Sequence, residues 1–298
     1  LSRATALGLC AAGPIAERAL EIGHPEEILG GTLCVAAVLA AGSRRTVWAG
    51  VLLGLAVATK AWALLAVGPV LLALPARHWR ALLIAGLVVA AILAPLAVAH
   101  PRAFAAKTGS MATTGAIFQP WQAWWFLGEH AGVVRGTSGQ AKPGYRTAPP
   151  WIARVTHPLI IVLGAVLTAL LWLVRGRRGA TALDALLLLA LLLHLRCVLD
   201  TWNFAYYAVP FLLALVTWEG LARRRPPVLS LLASVAIWIF WQELPIRGVA
   251  PDTQAAAYLL WALPVAAGLG LRLYAPGAWS RVIGLAANVG PAPAPKPA

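Results

Sequence analysis

Ionisable side chains that could do chemistry are few in this chain, and most of them stand between long apolar runs. The sequence His24-Pro25-Glu26-Glu27 brings together an imidazole and two carboxylates. This set could hydrogen-bond sugar hydroxyls, pair with a cation or supply a general base. It also fits a plain helix start, because proline and acidic side chains are favoured in a first helical turn. Both interpretations stay open at the level of sequence.

Lys60 interrupts the apolar stretch 51–74. A lysine within a membrane is costly, so it usually either has a functional partner or extends its ammonium to the interface. We expect Lys60 at the mouth of a cavity, where its charge would neutralise a phosphate. Arg196 is the second candidate for that role, because it lies in an apolar run near its outer end.

Two further groups of polar residues could contact a substrate. Asp200 and Asn203 are three apart and can share a face at a helix start, although capping and dipole pairing would also explain them. Trp202 between them fits either a contact or an interfacial aromatic belt. Gln119 and Trp121 belong to a tryptophan-rich run that could stack on sugar rings or isoprenoid chains, or lie on the bilayer as an amphipathic helix.

The composition predicts an all-α, polytopic transmembrane bundle. Of the 298 residues, 60% are hydrophobic and 11% are charged, against about 25% charged in soluble domains. The net charge of +14 is spread over the gaps between apolar runs, which indicates topology and contact with the lipid bilayer rather than nucleic-acid binding. The three cysteines lack CxxC spacing and predict no metal site. Neither a P-loop nor a GxGxxG after a strand is present, so no nucleotide cofactor is expected.

Apolar runs near the length that a bilayer requires, about 20 residues, predict about eight spans. They cover 4–20, 27–42, 81–99, 157–175, 182–199, 203–221, 227–245 and 255–274. The stretch 47–74 is predicted to be a broken or re-entrant pair that turns at Lys60. The transmembrane domain is therefore expected over 1–285, with an external loop at 100–156 whose second part, 132–150, is mobile. A disordered Pro/Ala-rich tail follows over 286–298.

Arginine clusters predict which ends of these helices face the cytoplasm, because short loops rich in Arg and Lys stay inside. The clusters are Arg44 and Arg45, Arg77 and Arg80, Arg175, Arg177 and Arg178, and Arg223, Arg224 and Arg225. Placing all four on one side requires the turn at Lys60. It also puts the candidate site residues on the opposite, extracytoplasmic face. Chemistry is therefore expected at the outer surface.

Four pieces of sequence, in this order, resemble an actinobacterial branch of the polytopic GT-C glycosyltransferases. They are GHPEE at 23–27, GLAVATKAWAL at 54–64, WWFLG at 124–128 and LDTWNFAYY at 199–207. The chain is similar to glycosyltransferase family 87, which contains polyprenyl-phosphate-mannose-dependent α-mannosyltransferases. The resemblance covers most of residues 4–280.

The resemblance implies an inverting enzyme that moves a sugar, mannose in the first instance, from a polyprenyl phosphate to a glycolipid or glycan acceptor outside the plasma membrane. It also implies a carboxylate base in the first outer loop. We expect the chain to be a fragment that lacks upstream helices, because it opens without Met, and that loop would then precede Leu1. Glu26, Glu27 and Asp200 are the carboxylates that remain as catalytic candidates. A lipid or small-anion transporter and a non-catalytic membrane protein are the alternatives. Span interiors of Ala, Leu and Val argue against a transporter, and the His, Glu, Lys, Asp and Asn residues gathered on one face argue against a non-catalytic protein.

Overall fold

The computed structural model describes residues 2–11, 13–111, 118–130, 133–135, 141–176, 179–222 and 226–277. These residues form an all-α bundle with two short antiparallel strand pairs. The helices are α1 (Ser2–Ala11), α2 (Pro14–Glu21), α3 (Pro25–Gly42), α4 (Thr46–Thr59), α5 (Val67–Ala73), α6 (His78–Ala99), α7 (Pro101–Met111), α8 (Pro150–Arg175), α9 (Ala182–Leu199), α10 (Val209–Ala222), α11 (Val228–Trp238), α12 (Leu244–Ile246) and α13 (Pro251–Tyr274). The strands are β1 (Glu129–His130), β2 (Val133–Arg135), β3 (Ala141–Pro143) and β4 (Arg146–Thr147).

Seven helical segments of the described chain are long and apolar enough to cross a membrane, which confirms a polytopic bundle. They correspond to every expected span except the first. The single span expected over 4–20 is wrong, because the chain forms α1 and α2 there, with Pro14 at the start of the second helix. A proline inside a helix removes one backbone hydrogen bond, and its ring clashes with the preceding turn, so it interrupts the helix. Neither short helix can span a bilayer alone.

Helix α9 is the centre of the bundle. Its residues from Ala185 to Leu193 are all buried, as the unbroken leucine-rich sequence of this stretch requires. A helix that is apolar on every side is stable only when other helices surround it. Helices α3, α5, α8, α10 and α13 pack around α9.

The stretch 47–74 forms the broken pair that the sequence predicts. Helix α4 ends before Lys60, whose backbone is extended at φ −151° and ψ 131°, and a 3-10 turn then leads into α5. Gly50 lies against Ala81 and Gly54 against Ala85, so α4 and α6 run in the same direction. The chain must therefore return between them. Each half measures roughly 20 Å at 1.5 Å per residue, too short for a crossing by itself.

The bundle consequently has two chemically different ends. The arginine end, where α3 and α8 finish and α4, α6 and α9 begin, holds Arg44, Arg45, Arg77, Arg80 and Arg175. The Lys60 end holds the start of α3 and the ends of α4 and α9. The remaining arginines of the predicted clusters, at 177–178 and 223–225, lie outside the described residues.

The segment 100–156 contains, in its described parts, two short strand pairs that the sequence does not predict. Strand β1 pairs with β4 and β2 with β3, both antiparallel. The buried Arg146 of β4 binds the Asp252 carboxylate at the start of α13 through Nη2, at 3.0 and 3.1 Å. Trp125 also donates to this carboxylate, at 2.7 Å. These contacts attach the described part of the segment around Trp125 and Arg146 to the bundle, and the mobility expected over 132–150 stays a prediction. The tail 286–298 lies outside the described residues.

Candidate functional site

A cluster of ionisable groups occupies the Lys60 end, and its more accessible half contains Lys60, Glu26 and His24. The Lys60 ammonium lies 3.0 Å from Oε1 of Glu26, and both side chains are nearly one-third exposed. The same oxygen is 2.8 Å from Nδ1 of His24. The His24 ring stacks on Tyr206, with centroids 4.3 Å apart. Glu26 is thus bound on two sides yet reachable from the solvent.

The buried half of the cluster contains Glu27 and Arg196. Glu27 is fully buried and receives hydrogen bonds from the two terminal nitrogens of Arg196, at 3.1 and 3.3 Å. Trp62 donates to the same carboxylate at 3.2 Å. The Arg196 guanidinium lies between the rings of Trp62 and Tyr207, at 4.7 and 4.4 Å from their centroids. These contacts offset the desolvation of both charges.

The formal charges of this cluster balance, with two carboxylates against Lys60 and Arg196. Lys60 connects the halves, because its Nζ is also 3.7 Å from Glu27. Glu27 is enclosed and already bound by three nitrogen donors, which suits a residue that positions others. Glu26 and Lys60 are the pair that a ligand could reach, since neither is enclosed.

A cavity of about 410 Å³ opens beside the cluster at His24 and Tyr206, within the volume range of small-molecule sites. Gln119 and Trp121 line it. Asn203 is fully buried and donates to the Trp121 backbone carbonyl at 2.7 Å, so it holds the tryptophan-rich run in place.

Asp200 and Trp202 lie just beyond the end of α9. The Asp200 carboxylate accepts the Trp202 backbone N–H at 2.9 Å and lies 3.7 Å from Nε2 of His157. The Trp202 ring contacts Phe204 edge-on. Asp200 follows Arg196 by one helical turn, but no ion pair joins Asp200 to the Lys60 cluster among the described residues.

Sequence reasoning assigned no role to several aromatic residues that complete the site. Trp62 and Tyr207 enclose Arg196, Tyr206 supports His24, and Trp241 packs on Trp121 with centroids 5.1 Å apart. Trp62 was detectable, because it follows Lys60 by two residues where the helix breaks. Trp241 was not detectable. It lies 120 positions from Trp121 along the chain, and a tryptophan at the membrane interface is already accounted for by the interfacial aromatic belt.

No group of three His, Cys, Asp or Glu side chains in the described ranges could hold a metal ion. The expectation of a reaction without metal or cofactor stays a prediction. The site as described can offer cations, a reachable carboxylate and aromatic surfaces, which are the groups that bind and activate sugars and phosphates.

Comparison with known families gives one match, to Glycosyltransferase family 87, over residues 3–201. No curated protein and no solved structure matches the chain. The matched region contains His24, Glu26, Glu27, Lys60 and Arg196, the whole of the charged cluster. The match covers more than half of the chain, so it favours an enzyme over a transporter or a non-catalytic membrane protein. The chain belongs to glycosyltransferase family 87, and it is a membrane glycosyltransferase.

Proposed function

We propose that this enzyme transfers a sugar, in the first instance mannose, from a polyprenyl phosphate to a glycolipid or glycan acceptor. The observation that carries the proposal is the Lys60–Glu26 pair at 3.0 Å, partly exposed at the helix break and within the family match. A lipid-linked donor suits a bundle of apolar helices, because its chain can stay in the bilayer while its phosphate reaches the end of the bundle. The sequence also lacks the glycine-rich motifs of nucleotide binding.

Lys60 is the group that binds the donor phosphate. Its partner Glu26 lies at the same edge of the cluster, so an incoming phosphate can replace this carboxylate beside the ammonium. The negative charge on the phosphate grows as the bond to the anomeric carbon breaks. A cation held at that position therefore stabilises the transition state more than the bound donor.

Glu26 is the candidate general base. The acceptor hydroxyl oxygen bonds to the anomeric carbon, its proton moves to Glu26, and the phosphate leaves with the bonding electrons. His24 orients this carboxylate through its Nδ1 contact of 2.8 Å. Glu27 and Arg196 position Lys60 from the buried half of the cluster. Asp200 remains a second candidate for the general base. Asn203 supports the substrate side by holding the Trp121 backbone, and Trp202 remains a candidate substrate contact.

We place the reaction on the extracytoplasmic face of the plasma membrane. The support is that the two sets of charges lie at opposite ends of the bundle. The five described arginines of the predicted clusters lie at the arginine end, and Lys60 and its carboxylates lie at the other end. Short arginine-rich loops stay cytoplasmic. A polyprenyl-phosphate sugar displayed on the outer leaflet would then reach the cluster without crossing the membrane.

The test is a transfer assay on the protein in liposomes, with octyl hexosides as acceptors. The donors are polyprenyl-phosphate mannose, polyprenyl-phosphate glucose and GDP-mannose. We expect product with the mannosyl lipid alone. Equal product from GDP-mannose would refute the lipid donor, and preference for the glucosyl lipid would refute mannose.

A matched pair of variants tests the residue assignment. Glu26→Gln keeps the shape of the side chain and removes its basicity, so turnover should fall by about 10²–10⁴. Glu17→Gln makes the same change on an exposed face of α2 and should leave turnover unchanged. Equal turnover of the two variants would exclude Glu26 as the base.

A further inference from the structure

Four exposed arginines at the arginine end form a patch of unbalanced positive charge. Arg44 and Arg45 precede α4, and Arg77 and Arg80 lie at the start of α6. No ion pair between described residues includes any of the four. Neither α4 nor α6 has an acidic residue in its first turn. We call these four residues the arginine patch.

Two carboxylates at the same end of the bundle are already bound elsewhere. Asp184 pairs with Arg175 and accepts the backbone N–H and the hydroxyl of Thr181. Glu219, near the end of α10, is buried and accepts two backbone N–H groups at the start of α11, at 2.9 and 3.0 Å. Within the described chain, therefore, the arginine patch has no counter-ion, and it is free to bind an anion from outside.

An apolar groove of about 590 Å³ lies between α5 and α8 on the outer surface of the bundle. His78 and Trp172 line it at the arginine end, and Ile161 lines it at the other end. The Thr168 hydroxyl in its wall donates to a backbone carbonyl of its own helix at 2.7 Å. Nε2 of His78 likewise donates to the Leu74 carbonyl at 2.9 Å. With these polar groups occupied, the groove suits an alkyl chain.

The length of the groove matches one leaflet of a bilayer. Its wall on α8 extends from Ile161 to Trp172, which is about 16 Å at 1.5 Å per residue, or roughly half of a hydrocarbon core of ~30 Å. Lys60 does not line the groove, because its ammonium faces Glu26 and Glu27 of α3. The groove therefore belongs to the leaflet at the arginine end, away from the Lys60 cluster.

We propose that this groove and the adjoining arginines bind one anionic phospholipid. One acyl chain lies in the groove, and the phosphate lies at Arg77 and Arg80, which flank the groove residue His78 in the sequence. Guanidinium groups bind phosphate through paired hydrogen bonds as well as charge, and the anionic lipids of the cytoplasmic leaflet attract basic side chains. The bound lipid contacts α5, α6 and α8, so it stabilises the second half of the broken pair. This site is separate from the proposed sugar transfer.

Native mass spectrometry of the protein in detergent micelles tests this binding. The protein is titrated with phosphatidylglycerol, or with phosphatidylcholine that has the same acyl chains, and the dissociation constant of the first bound lipid is measured. Phosphatidylglycerol should bind tighter by roughly tenfold or more. Arg77→Gln/Arg80→Gln should remove most of this preference. Arg44→Gln/Arg45→Gln removes the same charge outside the groove lining, so screening should limit its effect to less than about threefold.

A second pair of variants tests the groove without changing any charge. Ala169 lines the groove, whereas Val166 lies on the exposed surface of α8 outside it. Ala169→Trp fills the groove and should weaken phosphatidylglycerol binding by roughly fivefold or more, the value of one or two buried methylene groups. Val166→Trp adds the same ring outside the groove and should leave the dissociation constant unchanged. These variants keep the arginines, so the groove is tested even if an arginine double variant does not fold.

Four outcomes would each overturn the proposal. Equal dissociation constants for the two lipids would remove the role of the phosphate charge. Equal losses in the two arginine double variants would mean that diffuse charge attracts the lipid, without a site. Exclusion of phosphatidylglycerol by polyprenyl phosphate, with no effect of Arg77→Gln/Arg80→Gln on that exclusion, would assign the groove to the sugar donor. A dimer that Ala169→Trp dissociates would mean that a second copy of the chain covers the groove. None of these measurements requires turnover, so they are independent of the transfer assay.

Discussion

The Glu27–Arg196 pair offers the most direct test of how the site is built. Both side chains are buried, and two hydrogen bonds of 3.1 and 3.3 Å join them. Arg196→Met removes the guanidinium while keeping an unbranched side chain between Trp62 and Tyr207. The Glu27 carboxylate then stays buried, with the Trp62 N–H and the Lys60 ammonium at 3.7 Å as its remaining partners.

Breaking a buried pair by removing one partner costs about 3–5 kcal/mol. We expect Arg196→Met near the lower limit, about 3 kcal/mol, because Lys60 still compensates part of the Glu27 charge. The double variant Glu27→Gln/Arg196→Met leaves no uncompensated charge in the interior. Its cost should therefore fall short of the sum of the single variants by about 1–3 kcal/mol.

The measurement is the free energy of unfolding in mixed micelles, titrated with a denaturing detergent, for the four members of the cycle. Arg247→Met is the control, because Arg247 and Glu243 form an exposed pair at 3.4 Å whose loss should cost at most about 1 kcal/mol. Two results would refute a buried, coupled pair. One is that the losses of unfolding free energy in the two single variants add up to the loss in the double variant. The other is that Arg196→Met costs no more than Arg247→Met. In that case Glu27 would return as a candidate for direct chemistry.

Three further predictions concern the phosphate, the topology and the tryptophan-rich run. Lys60→Met should lower turnover by about 10²–10³ with an unchanged unfolding midpoint, and wild-type turnover would make Lys60 a bystander that only reaches the interface. In intact cells, Thr147→Cys should react with an impermeant maleimide and Ser43→Cys should not, whereas the reverse pattern would invert the topology. Asn203→Ala removes the hydrogen bond to the Trp121 carbonyl and should speed backbone hydrogen exchange over 119–124 by roughly fivefold or more, and unchanged exchange would show that other contacts hold this run.

The helix pattern and the broken pair were predictable because both follow from the apolar interior of the lipid bilayer. Long runs of Leu, Ala and Val can only be buried helices or spans, and the arginine clusters limit how they connect. The division of 4–20 into two helices was missed, because hydropathy averages over Pro14. The strand pairs near Arg146 were missed as well. Arg146 of the β1–β4 pair binds Asp252, more than a hundred residues away, and no local pattern reveals this contact.

The candidate residues were predictable by type but not by partner. A single lysine in an apolar stretch, such as Lys60, indicates an unusual environment. The sequence does not predict which carboxylate pairs with it. Glu26 and Glu27 are adjacent in sequence, and only the fold separates a reachable carboxylate from an enclosed one. The difference arises because successive residues of a helix point about 100° apart, so one faces the cavity side and the other faces α9. A pairing of Glu27 with Arg196 across 169 positions lies beyond any local pattern.

The break at Lys60 explains why the charges can gather at one end of so apolar a bundle. Glu26 and Glu27 lie in the first turn of α3, where the helix dipole stabilises anions. Arg196 lies in the last turn of α9 and Lys60 directly after α4, where the dipole stabilises cations. If α4 continued without a break, Lys60 would lie within a helix and lose that position beside the start of α3. The turn thus brings one helix start and two helix ends together, and each charge lies where its own helix favours it.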